Sequence, residues 1–226
     1  MKKIALFAAV GVFSMLMVAS AFAGPSSKFA AQVSSVALVP ETANLAWQKV
    51  LETQIKTPNK KDLLIGASFE TGLYTRTLVK SSGGTLDTSS ATAGITIKVV
   101  IDGVTVVNPG EVIYDKRAQT LSVKLGGILE SCEDLSGDGI IDILTECTFS
   151  DEEIDFILRT MGAHHFNFVA ANLEPGDHKV EVFAKIESLT SSIAGLAEAM
   201  ALVGKGSLTV EEVRATNAPD GIVFVE

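Results

Sequence analysis

Ile95-Thr96-Ile97-Lys98-Val99-Val100-Ile101-Asp102-Gly103-Val104-Thr105-Val106-Val107 decides the fold class of this chain. Two runs rich in β-branched residues flank Asp-Gly. A tight two-residue turn needs positive φ at both central positions, which Gly adopts freely and Asp tolerates. The stretch therefore predicts two antiparallel strands joined by a hairpin. Asn108-Pro109-Gly110 turns the chain again, and a second hairpin is expected with Val112–Asp115 against Thr120–Leu125.

On the N-terminal side, Asp62–Thr71 and Gly72–Val79 read as strands separated at Gly72, and Ser81–Ala93, rich in Ser, Thr and Gly, reads as a solvated loop. Leu45–Ile55 fits either helix or strand, because Trp47, Leu51 and Ile55 satisfy both spacings. On the C-terminal side, Ser150-Asp151-Glu152-Glu153 has the form of a capping box. Ile154, Ile157, Leu158 and Met161 follow at helical spacing, which predicts one short helix. Strands resume at Phe166–Val169 and Lys179–Ile186 around the turn Glu174-Pro175-Gly176-Asp177, and again at Gly206–Ala215 and Ile222–Val225. Ser191–Val203 reads as a short helix or a surface excursion. About eight short strands and a single helix predict a mainly β protein, an antiparallel β-sandwich of immunoglobulin-like architecture. The Cys…Trp…Cys arrangement of antibody domains is absent, so the likeness is to the architecture alone.

Met1-Lys2-Lys3, the apolar run Ile4–Met17 and Val18-Ala19-Ser20-Ala21-Phe22-Ala23 have the three parts of a secretory signal peptide, with cleavage expected before Gly24. The apolar run is shorter than the roughly 20 residues that span a bilayer, and no later run is longer. The expected organisation is a signal peptide over 1–23, a flexible lead-in over 24–41 that ends in a strand, and a sandwich over 42–226. Residues 128–162 form an insertion within it. The leader carries two of the 18 basic residues and none of the 27 acidic ones, so the exported part has a net charge of −11. That balance argues against nucleic acid and anionic membrane surfaces as partners. With Trp47 the single Trp, there is little aromatic surface on which sugars or bases could stack.

Cys132 and Cys147 are the two cysteines, and an exported chain with two cysteines predicts one disulfide. Between them lies Glu133-Asp134-Leu135-Ser136-Gly137-Asp138-Gly139-Ile140-Ile141-Asp142, with oxygen-bearing side chains at alternating positions and Gly at the bend. This run resembles the calcium loop of EF-hands, and more closely the Asp-rich loops of thrombospondin type 3 repeats and dockerins. The resemblance implies Asp134, Ser136, Asp138 and Asp142 as side-chain ligands, Ile140 through its carbonyl, and calcium as the cofactor. It departs from the EF-hand where a bidentate Glu is due: Thr145 stands there, and Glu146 one place later is the candidate sixth ligand. No pair of helices flanks the loop, so a calmodulin-like opening has nothing to move.

The wider chain resembles uncharacterised exported bacterial β-sandwich proteins, through Asp62-Leu63-Leu64-Ile65-Gly66, the Cys-flanked Asp loop and Pro175-Gly176-Asp177-His178. That resemblance implies export and fold, and no activity.

Signals for catalysis are missing from the sequence. There is no Gly-x-Ser-x-Gly elbow, no phosphate loop and no dinucleotide fingerprint. Ser68 reads as an ordinary strand serine. His164 and His165, adjacent on a strand, would point to opposite faces and cannot easily share one metal. The expected function is a non-enzymatic, calcium-stabilised binding or adhesion module of the periplasm or the exterior, with a protein or polysaccharide ligand. Two alternatives stand beside it: a carbohydrate-active hydrolase or its binding module, and a surface-fibre subunit assembled by strand exchange.

Overall fold

The computed structural model describes residues 28–34, 45–81 and 83–213. The expected leader over 1–23 and the expected strand Ile222–Val225 lie outside them. The described residues form an all-β, antiparallel sandwich. Its strands are β1 (Phe29–Ser34), β2 (Gln48–Thr57), β3 (Lys61–Ser81), β4 (Leu86–Ile101), β5 (Thr105–Val106), β6 (Val112–Lys124), β7 (Ile128–Cys132), β8 (Cys147–Ser150), β9 (Glu152–Leu173), β10 (Gly176–Ser192) and β11 (Leu196–Val213). One sheet runs β1-β11-β3-β9; the other runs β2-β10-β4-β5, with β6 also paired to β4; β7 and β8 form a separate two-stranded sheet.

The Asp102-Gly103 hairpin forms as expected, with φ of 54° and 73° and Val104 N–H donating to the Ile101 carbonyl at 3.2 Å. Several expectations are corrected. The short helix does not exist: Glu152–Leu173 is a 22-residue strand laid against β3 in unbroken register from Glu152 to Ala170. Helical spacing of four apolar residues yields here to twenty positions of ladder, because helix propensity is a weak preference against extensive pairing. Gly72 does not divide a strand but lies inside the 21-residue β3. The expected loop Ser81–Ala93 is mostly β4, because its Ser, Thr and Ala residues are small enough to alternate between a packed and a solvated face. The Val112–Leu125 hairpin is the single strand β6, paired throughout with β4. Leu45–Ile55 resolves as the start of β2, and Ser191–Val203 as the end of β10 and much of β11. Within the expected lead-in, Phe29–Ser34 pairs with β11. The Pro175-Gly176 turn links β9 to β10, which belong to different sheets, so it makes no hairpin.

The interior changes character along the sandwich. At one end the inner faces carry Leu63, Ile65, Phe69, Ile97, Val99, Phe168, Val180 and Leu208, all 2 % exposed or less. Toward the other end, β3 turns Thr71, Thr75, Thr77 and Ser81 inward against Asp87, Ser89, Ala91 and Ala93 of β4. Buried polar groups need partners, and here they bond across the sandwich. Thr75 Oγ1 donates to Gln119 Oε1 at 2.9 Å, Thr71 Oγ1 to Asp115 Oδ2 at 2.7 Å, and Ser89 Oγ to the Leu196 carbonyl at 2.7 Å. Small side chains let the backbones come close: a Cβ on Gly195 would stand 1.8 Å from the Leu78 carbonyl oxygen.

Candidate functional site

The chain leaves the sandwich after Lys124 and returns at Glu152, and in between it builds a finger. Its stem is the β7–β8 hairpin, Cys132 and Cys147 face each other in register, and the predicted disulfide joins them with Cα atoms 4.1 Å apart. A two-stranded hairpin is marginal alone in water. Closing a 15-residue loop contributes about 3 kcal/mol on the chain-entropy estimate, which is what makes so small an element durable.

Above the bridge the predicted ligands occupy one tight loop, ordered by carboxylates that accept backbone amides. Asp134 accepts Gly137 N–H at 2.6 Å and Ser136 Oγ–H at 3.2 Å on one oxygen, and Gly139 N–H at 2.8 Å on the other. Glu146, one place beyond the EF-hand position, reaches back into the loop: its two oxygens accept the Ser136 and Asp142 amides, both at 2.8 Å. Asp138 accepts Ile140 N–H at 2.8 Å, and Asp142 accepts Leu144 N–H at 2.9 Å. Gly137 and Gly139 hold φ of 71° and 81°, a region that favours glycine. These bonds stabilise the charged form, so both Asp134 and Glu146 lie below the usual carboxylate range; the largest causes are the Gly139 amide for Asp134 and the Asp142 amide for Glu146.

Asp134, Ser136 and Glu146 are thus brought together, whereas Asp138 and Asp142 each turn onto their own following backbone. Among the described residues no three carboxylate, imidazole or thiol groups converge as a metal-holding set. The donor chemistry suits calcium; this arrangement of the donors is self-capped. From Leu125 to Leu158 the sequence has no Lys or Arg, so Glu130, Glu133, Asp134, Asp138, Asp142 and Glu146 share the finger without a cationic residue among them. The same loop exposes Leu135, Ile140, Ile141, Ile143 and Leu144, the last 91 % exposed. A contiguous set of exposed aliphatics is uncommon on a monomer and marks interaction surfaces.

Other constellations have less to do. Ser68 Oγ lies 2.7 Å from His165 Nδ1, and His165 Nε2 lies 2.8 Å from Asn167 Oδ1, a serine–imidazole–amide series that nothing in the sequence spacing revealed. A nucleophile of this kind works with amide donors aimed at a developing oxyanion. Ser68 instead sits mid-strand, with His165 on one side and Ser207 on the other. His164 points to the opposite face, as expected of neighbours on a strand, with its ring 5.7 Å from that of Tyr114 and its Nε2 3.5 Å from Asp115 Oδ2. The Tyr114 hydroxyl accepts Phe69 N–H at 2.9 Å and donates to the His164 carbonyl, wedged between β3 and β9, and burial pushes its phenol up to about 12. Trp47 carries the ammonium groups of Lys98 and Lys185 at 4.2 and 4.6 Å from its ring centre, and Arg159 lies over Tyr74 at 5.4 Å. Those aromatic faces are engaged by cations. A cleft of about 1130 Å³ opens beside Tyr74, Met161, Met200 and Leu202; Arg159 and Glu198 also line it, and the Tyr74 hydroxyl there donates to Glu198 Oε2 at 2.8 Å.

No protein-family model matches the chain, and no curated protein does. Among solved structures, that of infectious bursal disease virus Gx strain aligns with 87 % of this chain at 16 % identity and a TM-score of 0.30. The T13 IBDV viral particle aligns with 87 % at 10 % identity and a TM-score of 0.17. The chain spans 34 % and 42 % of those two chains. Likenesses this slight carry no argument about fold family or function.

Proposed function

We propose that the protein is an exported, non-enzymatic binding module of the cell envelope or exterior. In this reading a sandwich of immunoglobulin-like type holds out the disulfide-pinned finger, and the finger makes the contact. The observation that carries it is the finger itself, with exposed aliphatics at its tip, acids with no Lys or Arg among them in the sequence from Leu125 to Leu158, and a covalent clasp at its base. An apolar tip ringed by carboxylates suits a protein groove with a basic rim better than a neutral polysaccharide.

Calcium belongs to the same proposal. Asp134, Ser136, Asp138, Asp142 and Glu146, with the Ile140 carbonyl, would hold one ion once Asp138 and Asp142 exchange their local amide bonds for the metal. A bond of that kind is worth about 1 kcal/mol net, little against the repulsion that a divalent ion relieves.

Two experiments test the two halves separately. Replacing residues 133–146 by a two-residue turn should abolish adhesion of the purified protein to envelope fractions while leaving its circular dichroism unchanged. Undiminished adhesion, or release of reducing ends from a polysaccharide panel, would refute the binding reading. For the metal, calorimetric titration with calcium chloride should give one binding event that Asp138→Ala removes. A flat titration, with chelator leaving proteolysis of the finger unaltered, would refute calcium and leave the binding reading standing.

A further inference from the structure

Among the described residues β9 is the outermost strand of its sheet, and from Glu153 to His165 every residue is exposed. This stretch overhangs the sandwich. Ile154, Phe156 and Leu158 lie on its inner face and stay 36–46 % exposed, although Gln119 of β6 reaches across to the Phe156 carbonyl and Arg117 to Thr160; Ile157 and Met161 lie on its outer face and are also exposed. A long, flat, apolar free edge is a template for another strand, and native proteins rarely leave one open.

The direction of the free hydrogen-bonding groups is fixed by the geometry. Val169 N–H donates away from β3, to the Asn108 carbonyl at 3.0 Å. Groups alternate along an antiparallel strand, and the register with β3 is unbroken between these positions. Glu153, Asp155, Ile157, Arg159 and Met161 therefore turn their N–H and C=O outward. His164, of the opposite parity, sends its carbonyl to the Tyr114 hydroxyl beside Phe69 of β3.

The side chains on this edge are self-complementary. Asp155 and Arg159 stand symmetrically about Ile157, so an antiparallel copy centred on Ile157 sets each carboxylate, which Arg76 of its own copy holds at 2.9 Å, opposite a second guanidinium. The same register sets Phe156 opposite Leu158, Ile154 opposite Thr160, and Ile157 opposite itself. We propose that β9 pairs with β9 of a second copy across a two-fold axis at Ile157, which joins the two four-stranded sheets into one. Nine residues from each copy, about 30 Å of strand, would exchange about ten backbone hydrogen bonds, a number typical of a stable interface. The pairing is isologous, so it closes at two copies. The occupant is a second copy rather than a foreign strand because the charges match their own two-fold image.

The register makes the test specific. A hydrogen-bonded antiparallel pair has Cα atoms about 5.5 Å apart, within disulfide reach. Under mild oxidation the purified protein carrying Ile157→Cys should run as a covalent dimer, while Asp155→Cys and Met161→Cys, whose own images lie elsewhere, should stay largely uncrosslinked. Unmodified protein should show twice the chain mass by sedimentation equilibrium, and Arg159→Glu should return it to monomer with unchanged circular dichroism. Position 157 is half-exposed, so its replacement leaves the interior intact. A monomer at high micromolar concentration, crosslinking through Met161→Cys instead of Ile157→Cys, or open-ended polymers would each overturn the proposal.

Discussion

Asp87 carries the most demanding single test of the sandwich interior. It is 2 % exposed and faces the small-residue end of the core. One carboxylate oxygen accepts the amides of Thr88 at 2.8 Å and Ala194 at 3.0 Å; the other accepts Lys80 N–H at 2.7 Å. A single side chain of β4 thereby ties β3 to the turn between β10 and β11. Burial raises its pKa, but these amides outweigh burial and the carboxyl lies below its ordinary value of 3.8. Asp87→Ala strands at least the Lys80 and Ala194 amides, and at about 1–3 kcal/mol for each buried orphan the loss should be about 3–5 kcal/mol. Asp87→Asn keeps the shape but points an NH₂ at an amide N–H, so about 2–3 kcal/mol is expected. With about 2–4 °C of Tm per kcal/mol for a domain of this size, the Ala variant should melt about 6–20 °C lower. Urea unfolding gives the free energies directly. The pH dependence has a definite sign: a folded pKa below the unfolded one contributes stability that is complete above about pH 4 and disappears as pH falls through the folded value. The wild type should therefore lose stability on acidification below that point more steeply than Asp87→Asn. An Asn variant within 0.5 kcal/mol of wild type would refute this account of the inter-sheet clamp.

The other expectations are briefer. His178 donates or accepts at both ring nitrogens, to Asp102 Oδ2 at 2.9 Å and the Glu174 carbonyl at 2.7 Å; burial opposes its charge, but these partners prevail and hold its pKa above 6.5. Its stabilising effect should be complete below about pH 6.5 and be lost as pH rises through the folded value, a urea-midpoint slope that His178→Gln should abolish. Gly195→Ala would drive a Cβ to 1.8 Å from the Leu78 carbonyl oxygen, backbone that cannot swing aside, and should cost about 1–3 kcal/mol or more by urea unfolding; an unchanged midpoint would refute the close approach. Cys132→Ser with Cys147→Ser should leave whole-molecule melting nearly unchanged, because β7 and β8 pack on each other rather than on the sandwich. Trypsin has no site in the finger, so glutamyl endopeptidase is the probe: cleavage at Glu133 or Glu146 should accelerate about a hundredfold, the equivalent of about 3 kcal/mol of local stability. Cleavage at the wild-type rate would show that the bridge is not what holds the finger.

What the sequence made legible follows from where local chemistry was decisive. Asp102-Gly103 imposes its own turn, and Cys132 and Cys147 could only meet each other, so both features were readable at a glance. The strand around Ile157 was misread because Ile154, Ile157, Leu158 and Met161 satisfy a period of 3.6, whereas in the strand they fall on both faces and are exposed. Only β3, far away in sequence, decides between helix and strand. Ser81–Ala93 was misread for a related reason: Ser and Thr mark loops when solvated, yet here Ser89 and Ala91 are inner-face residues whose small size permits close sheet contact. Within the finger, spacing named Asp134 and Glu146 as residues of one site, and both bind the loop backbone. The turning of Asp138 and Asp142 onto their own amides depends on side-chain rotation, on which spacing is silent. The Ser68–His165–Asn167 series joins strands nearly a hundred residues apart, and only the β3–β9 register assembles it.

That register also ties the two exposed features together. β8 runs through Ser150 straight into β9, so the finger rises from the same end of the strand as the free edge. Asp151 and Glu152 stand at the junction, where two acids in succession discourage further strands from adding beyond the proposed pairing. At the far end, the Asn108–Val169 bridge closes the edge with the chain's own backbone. The unpaired stretch is thus bounded on both sides, by charge and by a covering turn, and a bounded edge with a two-fold charge pattern is suited to one finite partner. If the dimer forms, the two fingers project from the two ends of its central strand pair. A ligand spanning both tips would then bind with the effective concentration of a divalent contact. Arg159→Glu, which should separate the copies without touching either tip, would weaken adhesion to a multivalent envelope surface far more than binding of a monovalent fragment. Equal loss in both assays would mean that β9 itself, and not the finger, makes the contact.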